Sequence, residues 1–172
     1  MSTERAPAPG GLALVEALVN TLDIASGADA LDTPEGRAEL GMTEADVGVA
    51  RELREALRAA CRAHAGEDMP ERARADLGRL LSAAPLRLEF DTGGAASLRP
   101  AGPESLAARI ALAVATAVAD GTWSRLKACE SETCRWAYYD RSPAGRSRWC
   151  TMSVCGSRAK MRAYRARRTG KG

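Results

Sequence analysis

The chain reads as an α+β protein: a mainly helical N-terminal domain carrying a small β-hairpin, then a compact cysteine-anchored unit that ends in a basic helix. Three observations predict this. Apolar residues recur at helical spacing in four stretches between residues 12 and 118. They alternate with polar residues over 86–98. Four cysteines, Cys129, Cys134, Cys150 and Cys155, gather in the last third. A length of 172 residues suits one domain of ordinary size plus a small appendage, and a 45% hydrophobic content is ordinary for a globular protein.

Met1 to Gly11, with Pro7, Pro9, Gly10 and Gly11, reads as a disordered lead-in. Leu12, Val15, Leu18, Val19 and Leu22 then form one apolar stripe and predict a first helix, with Glu16 and Asn20 near its edge. Gly27 to Glu39 is rich in Asp, Gly and Pro and reads as a loop. Thr43 suits the cap of a second helix, with Glu44 and Asp46 in its first turn, where they complement the helix dipole. Val47, Ala50, Leu53, Leu57 and Cys61 make its buried stripe, which leaves Arg54, Glu55 and Arg58 to the wet faces. Cys61 reads as a small core residue, and His64, the only histidine, as a C-terminal capping cation or a solvent-exposed side chain.

Pro70 opens a third helix through Leu77, Leu80 and Leu81, and Pro85 closes it. Leu86, Leu88 and Phe90 alternate with Arg87 and Glu89, Asp91 to Gly94 is a turn signal, and Ala95 to Leu98 is the return strand. Pro103 opens a last helix whose Leu106, Ile110, Ala113, Val114, Ala117 and Val118 share a face rich in small residues, with Gly121 as its stop.

Charge divides the chain at Trp123. Residues 1–122 hold 12 Arg against 19 acids, a net of −7, while residues 123–172 hold 13 Lys and Arg against 3 acids, a net of +10. The second region is suited to a polyanion. Trp123, Trp136, Trp149, Tyr138, Tyr139 and Tyr164 also fall there, as bulky rings must around a unit too small for a large core of its own. No apolar run reaches the roughly 18 residues that a membrane span requires. Glu16 interrupts the only N-terminal candidate for a signal segment, so a cytoplasmic location with no membrane partner is expected.

The cysteine spacing is C-x4-C, fifteen residues, C-x4-C. Two such pairs joined by a short hairpin bring four soft thiolates to one point, the donor set of a structural zinc site, which leaves no open coordination position for catalysis. Zinc is therefore the expected cofactor, one ion per chain, held by Cys129, Cys134, Cys150 and Cys155. Between the pairs, Arg135 to Asp140 reads as a strand and Ser142 to Gly145 as a turn. Ser153 offers a cap for a helix from Val154 onward. On that helix Arg158, Arg162 and Arg165 share one face, suited to base edges in a DNA major groove. Lys160 and Arg167 point toward phosphates, Arg146, Arg148 and Arg168 complete the basic set, and Met161 and Tyr164 are left to pack on the finger.

Arg148-Trp149-Cys150-Thr151-Met152, followed by Cys155-Gly156-Ser157-Arg158-Ala159-Lys160, resembles the signature of the bacterial CGNR zinc fingers, with Ser157 where the signature has Asn. Leu12-Ala13-Leu14 and Leu18-Val19-Asn20-Thr21 resemble the start of the ABATE domain, which accompanies this finger in stress-induced transcription regulators. The resemblance implies an ABATE-like regulatory or sensor domain over 12–122 and a CGNR-type finger, treble-clef-like or ribbon-like, over 123–172. It also implies a DNA-binding regulator that is not an enzyme. One histidine, no open metal position and no Gly-rich phosphate loop agree with the last point. A helical shell with a hairpin can enclose a small-molecule effector, a homodimer is compatible with the sequence, and the helices of 12–122 are expected to fold without the finger. Two other readings stand beside DNA binding: a zinc-thiolate redox sensor and a protein-interaction module.

Overall fold

The computed structural model describes residues 6–169. Six helices and two separate antiparallel hairpins make up the described chain: α1 (Leu12–Val19), α2 (Pro34–Glu39), α3 (Val47–Ala63), α4 (Glu71–Ser82), β1 (Leu86–Phe90), β2 (Ala96–Pro100), α5 (Leu106–Ala119), β3 (Leu126–Ala128), β4 (Ala137–Tyr139) and α6 (Ser157–Thr169). The α+β architecture is therefore as read, and none of the described helices is long and apolar enough to cross a membrane.

The main core lies where α1, α3 and α5 meet. Leu12, Val15, Leu18, Leu53, Leu57 and Ile110 are sealed from solvent there, each from a stripe of helical period. Small residues let the helices close up: a Cβ placed on Gly11 would lie 2.8 Å from the Ala113 Cβ. The approach holds in place the segment before α1. Ala8 is buried, its N–H donates to the Glu16 carboxylate, and Arg141 donates to the carbonyls of Ala6 and Pro7. The lead-in reading thus fails for residues 6–11, while Met1 to Arg5 lie outside the described residues.

Several local expectations are corrected. The first helix stops at Val19, and Leu22 instead bridges to Asp29. The 27–39 stretch is not a plain loop: a 3-10 turn (Ala30–Asp32) precedes α2, whose N-cap is Thr33, accepting from the Gly36 N–H with Pro34 in the first turn. Thr43 and Asp46 do bond one another, at the head of a 3-10 turn that runs into α3. The cap of α5 is Ser105, whose Oγ accepts from the Ala108 N–H, rather than Pro103.

The largest correction concerns Arg54 and Arg58, which lie at 4% exposure instead of in water. Arg54 donates to Asp29 at 2.8 Å and to the Thr21 hydroxyl at 3.0 Å, tying the 21–32 segment to α3. Arg58 donates to the Val19 carbonyl at 2.8 Å and to the Arg135 carbonyl at 3.0 Å. Both guanidiniums satisfy backbone or carboxylate acceptors that helix ends and turns leave open, which is what permits their burial.

Hairpin β1–β2 packs its base on α5. Hairpin β3–β4 sits at the boundary of the two regions, and strand alternation makes it a partition. Leu126, Ala128 and Ala137 belong to the main core, whereas Cys129 and Tyr138 belong to a second cluster with Cys150 and Cys155. Residues on both sides of position 123 therefore share one core.

Candidate metal centre and basic helix

The second cluster is built from two turns that face one another. In the first, the N–H groups of Cys134 and Arg135 both donate to the Ser131 carbonyl, and Cys129 donates to the Trp136 carbonyl at 2.9 Å. Arg135 takes a left-handed conformation at φ 51°, unfavourable for a residue with a Cβ, and contacts with the helical region hold it there. Arg58 grips its carbonyl and Glu67 its guanidinium, at 2.6 Å. In the second turn, Thr151 leads into a wide π-helical turn (Met152–Gly156) continuous with α6. Ser153 is therefore not the cap expected. Gly156 is required by space, because an added Cβ would meet the Met152 sulfur at 2.9 Å and the Trp149 ring at 3.2 Å. Ser157, standing where the signature has Asn, donates to the Met152 carbonyl at 3.1 Å and closes the turn.

These turns bring Cys129, Cys134, Cys150 and Cys155 together with every sulfur within 4.8 Å of the others. Cys134–Cys150 and Cys150–Cys155 are each 3.6 Å apart. A metal with four thiolates at about 2.3 Å in a tetrahedron separates them by about 3.8 Å, and a disulfide would bring two to about 2 Å. The spacing fits a metal. Proton chemistry agrees: hydrogen bonds from Cys134 and Cys150 hold the Cys129 thiol far below its ordinary value. The same contacts, with burial and the charge on Cys129, push Cys134 and Cys150 up. Four packed thiols cannot all ionise unless a cation takes up their charge. The N–H groups of Ser131 and Cys150 are also directed at the Cys129 sulfur and that of Trp136 at the Cys134 sulfur, an outer layer of donors that suits bound thiolates. Cys61 stands apart in the main core, where burial pushes its thiol up to about 12.

The turn between the pairs is held from below. Asp140, fully buried, accepts from Lys127 Nζ at 3.0 Å and from the N–H groups of Ser142 and Ser147; burial opposes its charge, yet these bonds bring its pKa down to about 2. The Tyr138 hydroxyl donates to the Ser147 carbonyl at 2.6 Å.

Three contributors to the boundary have no conspicuous sequence signal. Asn20 pairs with Ala137 like an extra strand, accepting from its N–H at 2.7 Å and donating to its carbonyl at 2.9 Å. Glu67 accepts from both Arg62 and Arg135. His64 is the C-cap residue of α3, as its place at the helix end predicts, but its ring is neither a capping cation nor solvent-exposed: Nδ1 lies 2.7 Å from the Leu126 carbonyl, the ring meets Trp123 edge-on, and burial lowers its pKa.

Beyond the cysteines the chain is uniformly basic, with no acidic residue from Arg141 to the end. Arg158, Lys160, Arg162, Arg165, Arg167 and Arg168 are all exposed on α6. Arg158, Arg162 and Arg165 line one open groove together with Val154, Ser157 and Met161. Met161 and Tyr164 do not pack on the finger as expected; they are 51% and 50% exposed, Tyr164 lying under the Arg168 guanidinium. Arg146 is exposed, whereas Arg148 forms a two-pronged ion pair with Glu130.

Residues 12–121 match the ABATE family, described as "Putative stress-induced transcription regulator". The chain belongs to the ABATE family. Its residues 125–168 match the CGNR zinc finger, so the cysteine cluster and α6 of this ABATE protein together form that finger. No match is found among curated proteins.

Proposed function

We propose that this ABATE protein is a non-catalytic transcription regulator that holds one structural zinc ion on Cys129, Cys134, Cys150 and Cys155 and binds duplex DNA through α6. The observation that carries the reading is the placement of α6: an exposed, purely basic helix continuous with the turn that supplies Cys155. Metal loss would release the start of that helix. A helix of 13 residues is about 20 Å long, enough to lie along a major groove. Four thiolates saturate zinc and leave no position for water, which supports a structural rather than catalytic role.

Within α6 the groove face of Arg158, Arg162 and Arg165 suits base edges, with the exposed Met161 available to thymine methyl groups. Lys160 and Arg167 suit phosphates. Arg148, already paired with Glu130, is a weaker candidate than its exposure alone suggests.

The test is titration of the zinc-loaded full chain against a selected duplex and a scrambled one at several salt concentrations. Alanine at Arg162 or Arg165 should cost about 1–3 kcal/mol on the selected site and relax preference at one position. Alanine at Lys160 or Arg167 should weaken both duplexes alike and lower the salt slope by about one. Equal losses for all four would leave electrostatic attachment without base reading. Zinc-loaded protein that binds neither duplex at low salt would reject the DNA function and favour a protein-interaction role.

A further inference from the structure

Hairpin β1–β2 leaves an apolar face in water. Leu88 is 60% exposed and Phe90 70%, and the strand is exposed from Arg87 to Phe90. The sequence alternation suggests a half-buried strand, yet only Leu86 at its base reaches the small-residue cluster around Ala108 and Ala111.

The two edges of this hairpin differ. Asp91 N–H donates to the Ala95 carbonyl and Ala101 N–H to the Pro85 carbonyl. Since backbone groups point alternately to the two sides of a strand, residues 85, 87, 89 and 91 face β2. The N–H and C=O groups of Leu86, Leu88 and Phe90 then face outward, three donors and three acceptors in a row. On β2 the outward residues are Ala96, Leu98 and Pro100; Pro100 has no N–H, so that edge is blunted.

The β1 edge is also self-complementary. An antiparallel pairing of β1 with itself about a two-fold axis at Leu88 sets Leu88 opposite the partner's Leu88 and Leu86 opposite the partner's Phe90. On the other face, Arg87 meets the partner's Glu89 and Glu89 the partner's Arg87. Every outward backbone group finds a partner, both charge pairs are opposite in sign, and the exposed apolar side chains are covered. The same operation on β2 sets Ser97 against the partner's Arg99 and Ala96 against a proline.

We propose that β1 is the homodimer interface of this protein, with two hairpins joined into one four-stranded antiparallel sheet. The occupant of the edge is a second copy of this chain because the charge order Arg87, Glu89 is its own complement when reversed. A foreign strand would have to present that same order. At present Arg87 and Glu89 pair within the strand, at 2.6 Å. In the dimer each gains a cross-strand partner at a position where side chains approach most closely.

The experiment is the solution mass of the zinc-loaded full chain across a dilution series, using variants that change only exposed charges. Wild type should reach twice the chain mass. Arg87→Glu and Glu89→Arg should each be monomeric when alone, because each sets like charges opposite one another twice. An equimolar mixture of the two should restore the dimer with one copy of each, and the double variant Arg87→Glu, Glu89→Arg should dimerise with itself. This pattern also separates interface from folding, since a misfolded variant would not be rescued by mixing. Wild type that is monomeric throughout, single variants that remain dimeric, or a mixture that stays monomeric would each overturn the proposal.

Discussion

The ABATE region and the finger hold their interiors together by different means. In the first, Leu12, Val15, Leu53, Leu57 and Ile110 exclude water over three helices, while buried Arg54 satisfies side-chain acceptors and buried Arg58 completes backbone hydrogen bonds. In the second, the buried centre is largely sulfur: Cys129, Cys150 and Cys155 with Tyr138, flanked by Trp136 and Trp149. An apolar core gains stability with each methylene removed from water, and the short finger has few of these to bury. Its four thiols destabilise one another until a cation joins them. One region is held by buried apolar area, the other is built around four clustered thiols suited to coordination, and β3–β4 joins the two.

The largest expected effect falls chiefly on the second region. Removing the metal, or substituting Cys134→Ser together with Cys155→Ser, should withdraw folding free energy of about 10–16 kcal/mol, the range for structural zinc in small fingers. Protection of amide hydrogens should vanish over 129–156 and persist in α1, α3 and α5, as hydrogen exchange would read. Full metal occupancy in the double variant would refute the ligand set, and loss of metal after Cys61→Ser would implicate the wrong thiol. Equal loss of protection in both regions would show that they do not differ in the way described.

A smaller effect should cross the boundary. Leu126, fully buried in the main core, lies three residues before Cys129 on the strand that leads to the cysteine cluster. Leu126→Ala should cost about 3 kcal/mol, as large-to-small core substitutions do. Thermal unfolding should shift for α1–α5, and metal release to a chelator should accelerate. A chain ended at Thr122 lacks Leu126, Ala128 and Ala137 altogether. We expect it to melt at a far lower temperature than the intact chain or without cooperativity, in place of the autonomy expected from the helical stripes alone. A truncated chain as stable as the whole would restore that autonomy.

The smallest effect is a pH slope. His64 is held neutral by burial, so the unfolded chain takes up a proton near pH 6.5 while the folded chain resists it. Its contribution is complete above that value and is lost as pH falls toward the lower folded pKa. His64→Gln removes the titration while keeping a side chain able to reach the Leu126 carbonyl. The difference in melting temperature between wild type and variant should therefore narrow, or reverse in the variant's favour, as pH is lowered from about 7.5 to about 5.5. Parallel profiles would place the histidine's proton balance outside the boundary.

Much of the finger was legible because its chemistry is local. Two C-x4-C pairs can meet through turns of a few residues, and the structure brings those four sulfurs together; the basic helix follows directly in the chain. The helical stripes of α1, α3 and α5 were legible for a similar reason, since a 3.6-residue period is a property of the segment itself. Thr33-Pro34-Glu35 carried a readable helix start that the surrounding Asp, Gly and Pro obscured. Arg54, Arg58 and His64 could not be placed from their own helix. Polar residues beside an apolar stripe face water unless something distant covers them, and here the cover comes from Thr21 and Asp29 for Arg54, Val19 and Arg135 for Arg58, and Leu126 for His64.

The sequence by itself determined which groups can bind a metal, which faces of the helices are apolar, and where positive charge collects, because ligand type, periodicity and composition need no partner. Only the tertiary structure decided that the two regions share a hairpin, that Asn20 completes the edge of β4, and that Arg135 is held in a strained turn from α3. It also decided that Leu88 and Phe90 stay in water. Each of these depends on which surface meets which across many residues of chain, and that is settled by packing the whole molecule rather than by any one segment.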